Sequence, residues 1–413
     1  MTSKVSYNLS SVPGFDNFIN TGDIEPEYDK YYSVNKYSTK ANEQYNIVRY
    51  NKDLLSNELF STYGLLRSVI VSGPKIVSFA PPKSMSGESF INKYPVKNNK
   101  IIAETFVEGT MINVFYDPTY GATGCWQIST RNTVGAEVSF YKWSKKTFNE
   151  MFMEACIVNK FNIQTLNPRF CYSFVLQHPA NRIVVPFKTP QLYLVSVYEI
   201  VQTVDNITVV EENLNEVINS GGWNTTNIKF PETYEFTSYT ELIEKFASAN
   251  TSYDILGVVV KNIETGERTK FRNPIYEEVR HLRGNQTKLQ YQYLALRHAG
   301  KLPDFLKYYP ETKDEMSKFR DHVHMFTNTL HQNYISCYIK KTKPLREYPD
   351  QYRTHMFKIH EQYINDLKPK NSFVTNTVVI KYVNQLHPSL LMYCLNHNMR
   401  KRLVDTIKTD SNI

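Results

Sequence analysis

Residues Ile101–Phe115 read IIAETFVEGTMINVF. Apolar and β-branched residues dominate on both sides of the Glu108-Gly109 step, a pattern of strand, break and strand. Working outward, the same kind of run recurs at Ser68–Ser72 (SVIVS), Met111–Tyr116 (MINVFY), Arg182–Phe187 (RIVVPF), Tyr193–Val201 (YLVSVYEIV) and Ile255–Lys261 (ILGVVVK). His178-Pro179-Ala180-Asn181 reads as a turn between two of these strands. Helices are expected near Lys145–Lys160, where Phe148, Met151, Phe152 and Ala155 share a face, and over Tyr239–Ala249. Residues 46–272 therefore read as a sheet-rich α+β body. Residues 1–45, polar and rich in Tyr and Asn, read as an N-terminal extension.

Beyond Arg272 the period changes. Met316, Phe319, Val323, Phe326 and Leu330 recur at steps of 3 and 4, the stripe of an amphipathic helix. Met356, Ile359, Tyr363 and Leu367 repeat it, and Pro388 precedes a third run from Leu390 to Leu403. Residues 273–413 are thus expected to form an all-helical domain. Charge divides at the same place. Residues 1–272 carry 26 Lys+Arg against 27 Asp+Glu, whereas residues 273–413 carry 22 against 13. The whole positive excess of the 413-residue chain lies in the helical part, which points to an acidic partner, nucleic acid first among them, or else to a solvated basic surface.

Several classes are disfavoured. No apolar core of signal-peptide length opens the chain and no run of about 18 apolar residues occurs, so neither a leader nor a membrane partner is expected. Five scattered cysteines, none in C-x-x-C spacing, fit no disulfide framework or zinc site and indicate a reducing, cytoplasmic setting. Phosphate loops, zinc-protease helices and nucleophile elbows are absent, and none of the histidines has ligand spacing: His355 and His360 are five apart, and His322 and His324 point to opposite sides of a helix. No metal or other cofactor is expected.

An ordered series of segments does stand out: Tyr63–Ser72, Lys75–Lys83, Phe90–Lys93, Ile101–Phe115, Gln127–Gly135, Phe170–Val185, Tyr193–Glu199 and Tyr253–Arg272. In order and spacing the series resembles the covalent nucleotidyltransferases, and among them RNA ligases of the T4 RNA ligase 1 type. The resemblance implies a ligase-type antiparallel-sheet body followed by a helical domain. It also implies chemistry in which a lysine amine attacks the α-phosphorus of ATP while flanking cations take up phosphate charge. Together with an Asn-, Lys-, Tyr- and Ile-rich composition, it points to a large DNA virus as the source.

The chain departs from that family where the chemistry is carried. Phe106 stands where the resemblance places the nucleophilic lysine, and Val175 and Leu256 stand where it places two carboxylates. The implied phosphate-binding cations remain as Arg67, Arg131, Lys270 and Arg272, and Glu108 keeps an acid in the cleft. Lys270 and Arg272, two apart on a strand, share a face. Their counter-charge is either a ligand phosphate or an internal acid such as Glu108. Arg280 and Arg283, with Tyr291, Tyr293, Tyr308 and Tyr309, are candidate RNA contacts. The expectation is a chain that is not an enzyme: a catalytically inactive, RNA-ligase-like protein that binds RNA, including a 5′ end or cap, as a subunit of an RNA-processing or translation assembly with partner proteins. Two alternatives stay open. One is an active ligase using another lysine, Lys100 or Lys261; the other is a protein scaffold without nucleic-acid contact.

Overall fold

The computed structural model describes residues 4–39, 43–141 and 146–399. Two compact units are present, Met1–Arg280 and His281–Ile413. The boundary falls eight residues beyond the expected one because the helix Pro274–Arg283 begins as part of the first unit. Asn273, fully buried, anchors its start by donating from its side-chain amide to the carbonyls of Ser252 and Ile255 at 2.7 and 2.8 Å.

The described residues of the first unit form three antiparallel sheets. A six-stranded sheet runs in the order Ser6–Asn8, Ile207–Glu211, Gln191–Gln202, Phe170–Gln177, Thr110–Asp117 and Cys125–Ser129. A four-stranded sheet joins Thr233–Tyr234, Ile101–Thr105, Gly257–Asn262 and Arg268–Arg272. A second joins Tyr32–Ser38, Gln44–Tyr50, Val69–Ser72 and Lys75–Phe79. The architecture is the α+β class read from the sequence, with strands at most of the quoted β-rich runs. The helix Phe148–Val158 forms where expected, opened by a capping box between Thr147 and Glu150, and buries Phe148, Met151, Phe152 and Ala155. Lys145 lies outside the described residues. The helix Tyr239–Phe246 covers the second expected segment.

Two expectations are corrected. Residues 1–45 are not a loose extension. Ser6–Asn8 closes one edge of the six-stranded sheet against Ile207–Glu211, and Leu9, Val12, Phe15 and Phe18 are buried in the first unit's core. Tyr32 is fully buried too, with its hydroxyl donating to the Gly14 carbonyl. The polar positions between these anchors conceal a hydrophobic set with a step of three. Second, Arg182–Phe187 is not a strand. The N–H groups of Val184 and Val185 are taken by the buried Glu108 carboxylate, at 2.8 and 3.2 Å, rather than by a strand partner.

In the second unit, Lys313–Tyr334 and Asp350–Gln362 are the two expected amphipathic helices. Met316, Val323, Phe326 and Leu330 on the first, and Met356 and Ile359 on the second, are buried. Pairings of Phe326 with Tyr352 and of Tyr334 with His360 show that the two helices run parallel. Each passes at its C-terminus into a π-helical turn, Ile335–Ile339 and Tyr363–Leu367. The third run appears as Pro388–Leu395; its continuation to Leu403 passes out of the described residues.

Since Phe15 is core rather than tail, Phe15→Ala should destabilise the chain by about 3–5 kcal/mol in urea unfolding. A residue on a loose arm would cost less than about 0.5 kcal/mol.

Candidate functional site

The strand Gly257–Asn262 pairs on one side with Ile101–Thr105 and on the other with Arg268–Arg272. Register aligns Glu104, Val259 and Lys270 in one cross-strand row and Ile102, Lys261 and Arg268 in another. Residues in a row share a face. The opposite face carries Ala103, Val258 and Val260, fully buried, and packs on Phe90, Tyr239 and Leu242. The alternation that builds the core on one face thus lines up Arg268, Lys270 and Arg272 on the other. Gly257 stands opposite Arg272 with φ of 134°, and a Cβ there would lie 2.1 Å from the Phe271 carbonyl oxygen, so only glycine fits.

Phe106 follows the Ile101–Thr105 strand. Lys270 Nζ lies 4.5 Å and the Arg272 guanidinium 5.4 Å from its ring centroid. The ring is therefore not a plug. It is a platform under two cations, each contact worth about 0.5–2 kcal/mol depending on desolvation. Val175 and Leu256, where the resemblance places two carboxylates, are buried apolar residues.

Other cations close on this face. Met85 N–H donates to the Arg268 carbonyl and Thr269 Oγ1 to the Met85 carbonyl, which holds the segment Pro81–Met85 along the edge strand. Pro81 and Pro82 have no N–H, so that stretch presents carbonyls without matching donors. The carbonyls of Pro81, Pro82 and Ser84 accept from Arg67 (3.4 Å), Arg268 (2.9 Å) and Lys83 (3.0 Å) respectively. Burial, with Arg268 and Arg131 nearby, lowers Arg67 to about 10. Lys83 is lowered by burial and by Arg67, Arg272 and Arg131. Lys270 falls well below its ordinary value through burial and then through Arg268, Arg67, Arg272 and Lys83. The π face of Phe106 favours the charged ammonium, but burial and four like charges outweigh it.

Arg272 pairs with Glu277 at 2.9 Å, and Arg280 pairs with the same carboxylate. Arg131 is exposed, with its guanidinium 5.8 Å from the Tyr50 ring centroid. Among the described residues, no acceptor lies within hydrogen-bonding distance of Lys270 Nζ. Glu108 is not its counter-charge, since the Glu108 carboxylate is engaged by Val184 and Val185. Burial raises Glu108 to about 7 against those two hydrogen bonds.

The expected RNA contacts in the second unit fare differently. Arg283 is buried and donates to Gln292 Oε1 at 2.8 Å, so it braces a helix pair and does not face a strand of RNA. Tyr293 and Tyr309 are core residues, the latter stacked on Phe305. Of the alternative lysines, Lys100 pairs with Glu264 at 2.7 Å and Lys261 with Glu211 at 3.0 Å. Lys261 is raised, not lowered, because Glu211 and Glu104 outweigh its burial. Lys261 therefore stays a charged ammonium. Among the described residues no group of three or more His, Cys, Asp and Glu could hold a metal ion. No helix among them is long and apolar enough to cross a membrane.

Sequence reasoning missed Lys83, Arg268 and Glu104. A two-residue step from Lys270 would have found Arg268. Lys83 is brought in by the Pro81–Met85 segment, for which no sequence period exists.

No family model matches the chain. It is similar to an RNA ligase of Rhodothermus phage RM378, 25% identical over 319 residues that cover 70% of this chain and 69% of that protein. It is also similar to an immediate-early protein ICP-46 homolog of Invertebrate iridescent virus 6, 25% identical over 324 residues covering 71% and 67%. Among solved structures, an archaeal ATP-dependent RNA ligase aligns with a TM-score of 0.38 at 12% identity, covering 75% of this chain and 74% of that one. A Naegleria gruberi RNA ligase with PPi aligns with a TM-score of 0.35 at 13% identity, covering 59% and 75%. The chain is RNA-ligase-like, and these two sequence relatives are viral. The expectation that it is not an enzyme is corrected here: what it matches over 319 residues is a protein named as an enzyme, an RNA ligase.

Glu108 yields a pH prediction. Its folded value of about 7 exceeds the ordinary 4.5, so the folded state binds the proton more tightly. Its contribution to stability is full below the ordinary value and is lost as pH rises through about 7. Denaturant unfolding at pH 5 and pH 8 should show wild type losing stability relative to Glu108→Gln as pH rises.

Proposed function

We propose that the chain is an RNA-ligase-type protein acting on RNA ends, and that the face carrying Arg67, Lys83, Arg268, Lys270 and Arg272 receives the phosphates of a nucleotide or an RNA terminus. The observation that carries this reading is Lys270: a cation ringed by four others, with no acceptor of its own among the described residues. Like charges are gathered at a cost that an anionic ligand would offset. The relatives' similarity supports RNA as the polymer, and the residue balance of the second unit, 21 Lys+Arg against 11 Asp+Glu over residues 281–413, supports it independently. All five cysteines are free, in keeping with a reducing compartment such as a host cytoplasm.

The test is titration of ATP and of a 5′-phosphorylated RNA into wild type and the Lys270→Gln/Arg272→Gln double variant. A charged hydrogen bond is worth about 1.5–3 kcal/mol, so affinity should fall at least about tenfold. The melting temperature should hold or rise, because like-charge crowding is relieved. Unchanged affinity with a lowered melting temperature would overturn the reading. For the strand, Lys340→Glu/Lys341→Glu, two exposed positions, should weaken RNA binding. It should also flatten the salt dependence by about 0.7 for every phosphate no longer neutralised, and leave ATP binding unaltered.

A further inference from the structure

With Phe106 at the end of the Ile101–Thr105 strand, an adenylyl-transfer site there lacks its attacking group. The structure offers an amine beside it. Lys270 Nζ sits over the Phe106 ring, 4.5 Å from its centroid. We infer that Lys270 is the nucleophile of a covalent nucleotidyl-transfer step, taking over from position 106 across the sheet. The inference rests on the phosphate-site reading above.

Three observations support it. First, Lys270 is distinguished from the other lysine of the face and from the two considered earlier. Lys83 donates to the Ser84 carbonyl, Lys100 pairs with Glu264 and Lys261 pairs with Glu211. Lys270 has no such partner among the described residues, so nothing has to be broken before it reacts. Second, the groups a triphosphate would need are already around it: Arg67, Lys83, Arg268 and Arg272. Third, those same cations, after burial, favour the unprotonated amine, the form with a lone pair.

The step balances without any further reactant than a nucleoside triphosphate. The Nζ lone pair forms a bond to the α-phosphorus. The bond from that phosphorus to the bridging oxygen breaks, and its electron pair departs with pyrophosphate. The amine gives up one proton to water. The cations that depress the amine's proton affinity in the free protein then carry the charge of the leaving pyrophosphate. Glu104, in the same cross-strand row beyond Val259, stays as the acid of this face, with burial holding its carboxyl above the ordinary range.

The experiment is incubation of the full chain with α-labelled ATP and, separately, GTP, in buffer with magnesium or manganese, followed by denaturing gel and peptide mapping. Binding of the same nucleotides is measured in parallel by calorimetry. The expected result is a label that survives alkali, is released by acid as a phosphorus–nitrogen bond is, and maps to the peptide containing Lys270. Lys270→Arg should abolish nearly all of the label, whereas Lys100→Arg, at a surface ion pair, should keep it. An adduct mapped to any other residue overturns the inference. Nucleotide binding with no adduct also overturns it and leaves the phosphate-site reading standing. Absence of both binding and adduct overturns the two together. Mapping on wild type decides the matter even where a variant fails to fold.

Discussion

Like-charge crowding governs one sheet face of this molecule. Five cations meet on and beside one sheet face, and among the described residues Arg272 alone of the five forms an ion pair, with Glu277. Glu108 is taken up by two backbone N–H groups, Glu211 by Tyr7 and Lys261, and Glu277 by Arg272 and Arg280 at the rim. What holds the inner cations in place is uncharged: the carbonyls of Pro81, Pro82 and Ser84 and the face of Phe106. Backbone carbonyls orient a guanidinium without cancelling its charge. The positive potential of the face is therefore left in place.

That arrangement follows from sheet geometry. A strand whose inward residues are Thr269 and Phe271 must present Arg268, Lys270 and Arg272 outward. Val258 and Val260 hold the central strand against the hydrophobic core, and Gly257 allows the close backbone approach beside Phe271. Packing on one side and chemistry on the other are thus coupled through register. A one-residue slip would bury three cations.

Much of this was legible in the residues. Strands at Val69–Ser72, Thr110–Asp117, Gln191–Gln202 and Gly257–Asn262 follow β-branched runs, and the helices of the second unit follow their three-and-four stripes. The ordered series of segments was enough to reach an RNA-ligase-like chain. Arg182–Phe187 misled because its composition favours a strand, while its N–H groups are taken by a carboxylate far away in sequence. The N-terminal segment misled because Leu9, Val12, Phe15 and Phe18 are spaced among polar residues in neither of the usual periods. In the site, Lys270 and Arg272 were singled out by the resemblance, and their two-residue step put them on one face. Lys83 was not, since only tertiary packing carries it there. Arg283 illustrates the opposite error: a basic residue in a basic domain, turned inward to brace Gln292.

Phe106 serves the cluster as a kind of counter-ion. A carboxylate in its place would bring a full negative charge and would lose its hold in acid, when protonated. An aromatic ring attracts cations through its quadrupole and has no proton to gain or lose. It steadies Arg272, and Lys270 in its protonated form, without adding a charge of its own. Any acid sensitivity of ligand capture at this face must then come from the ligand's phosphates, from the cations or from Glu104, and not from the ring itself.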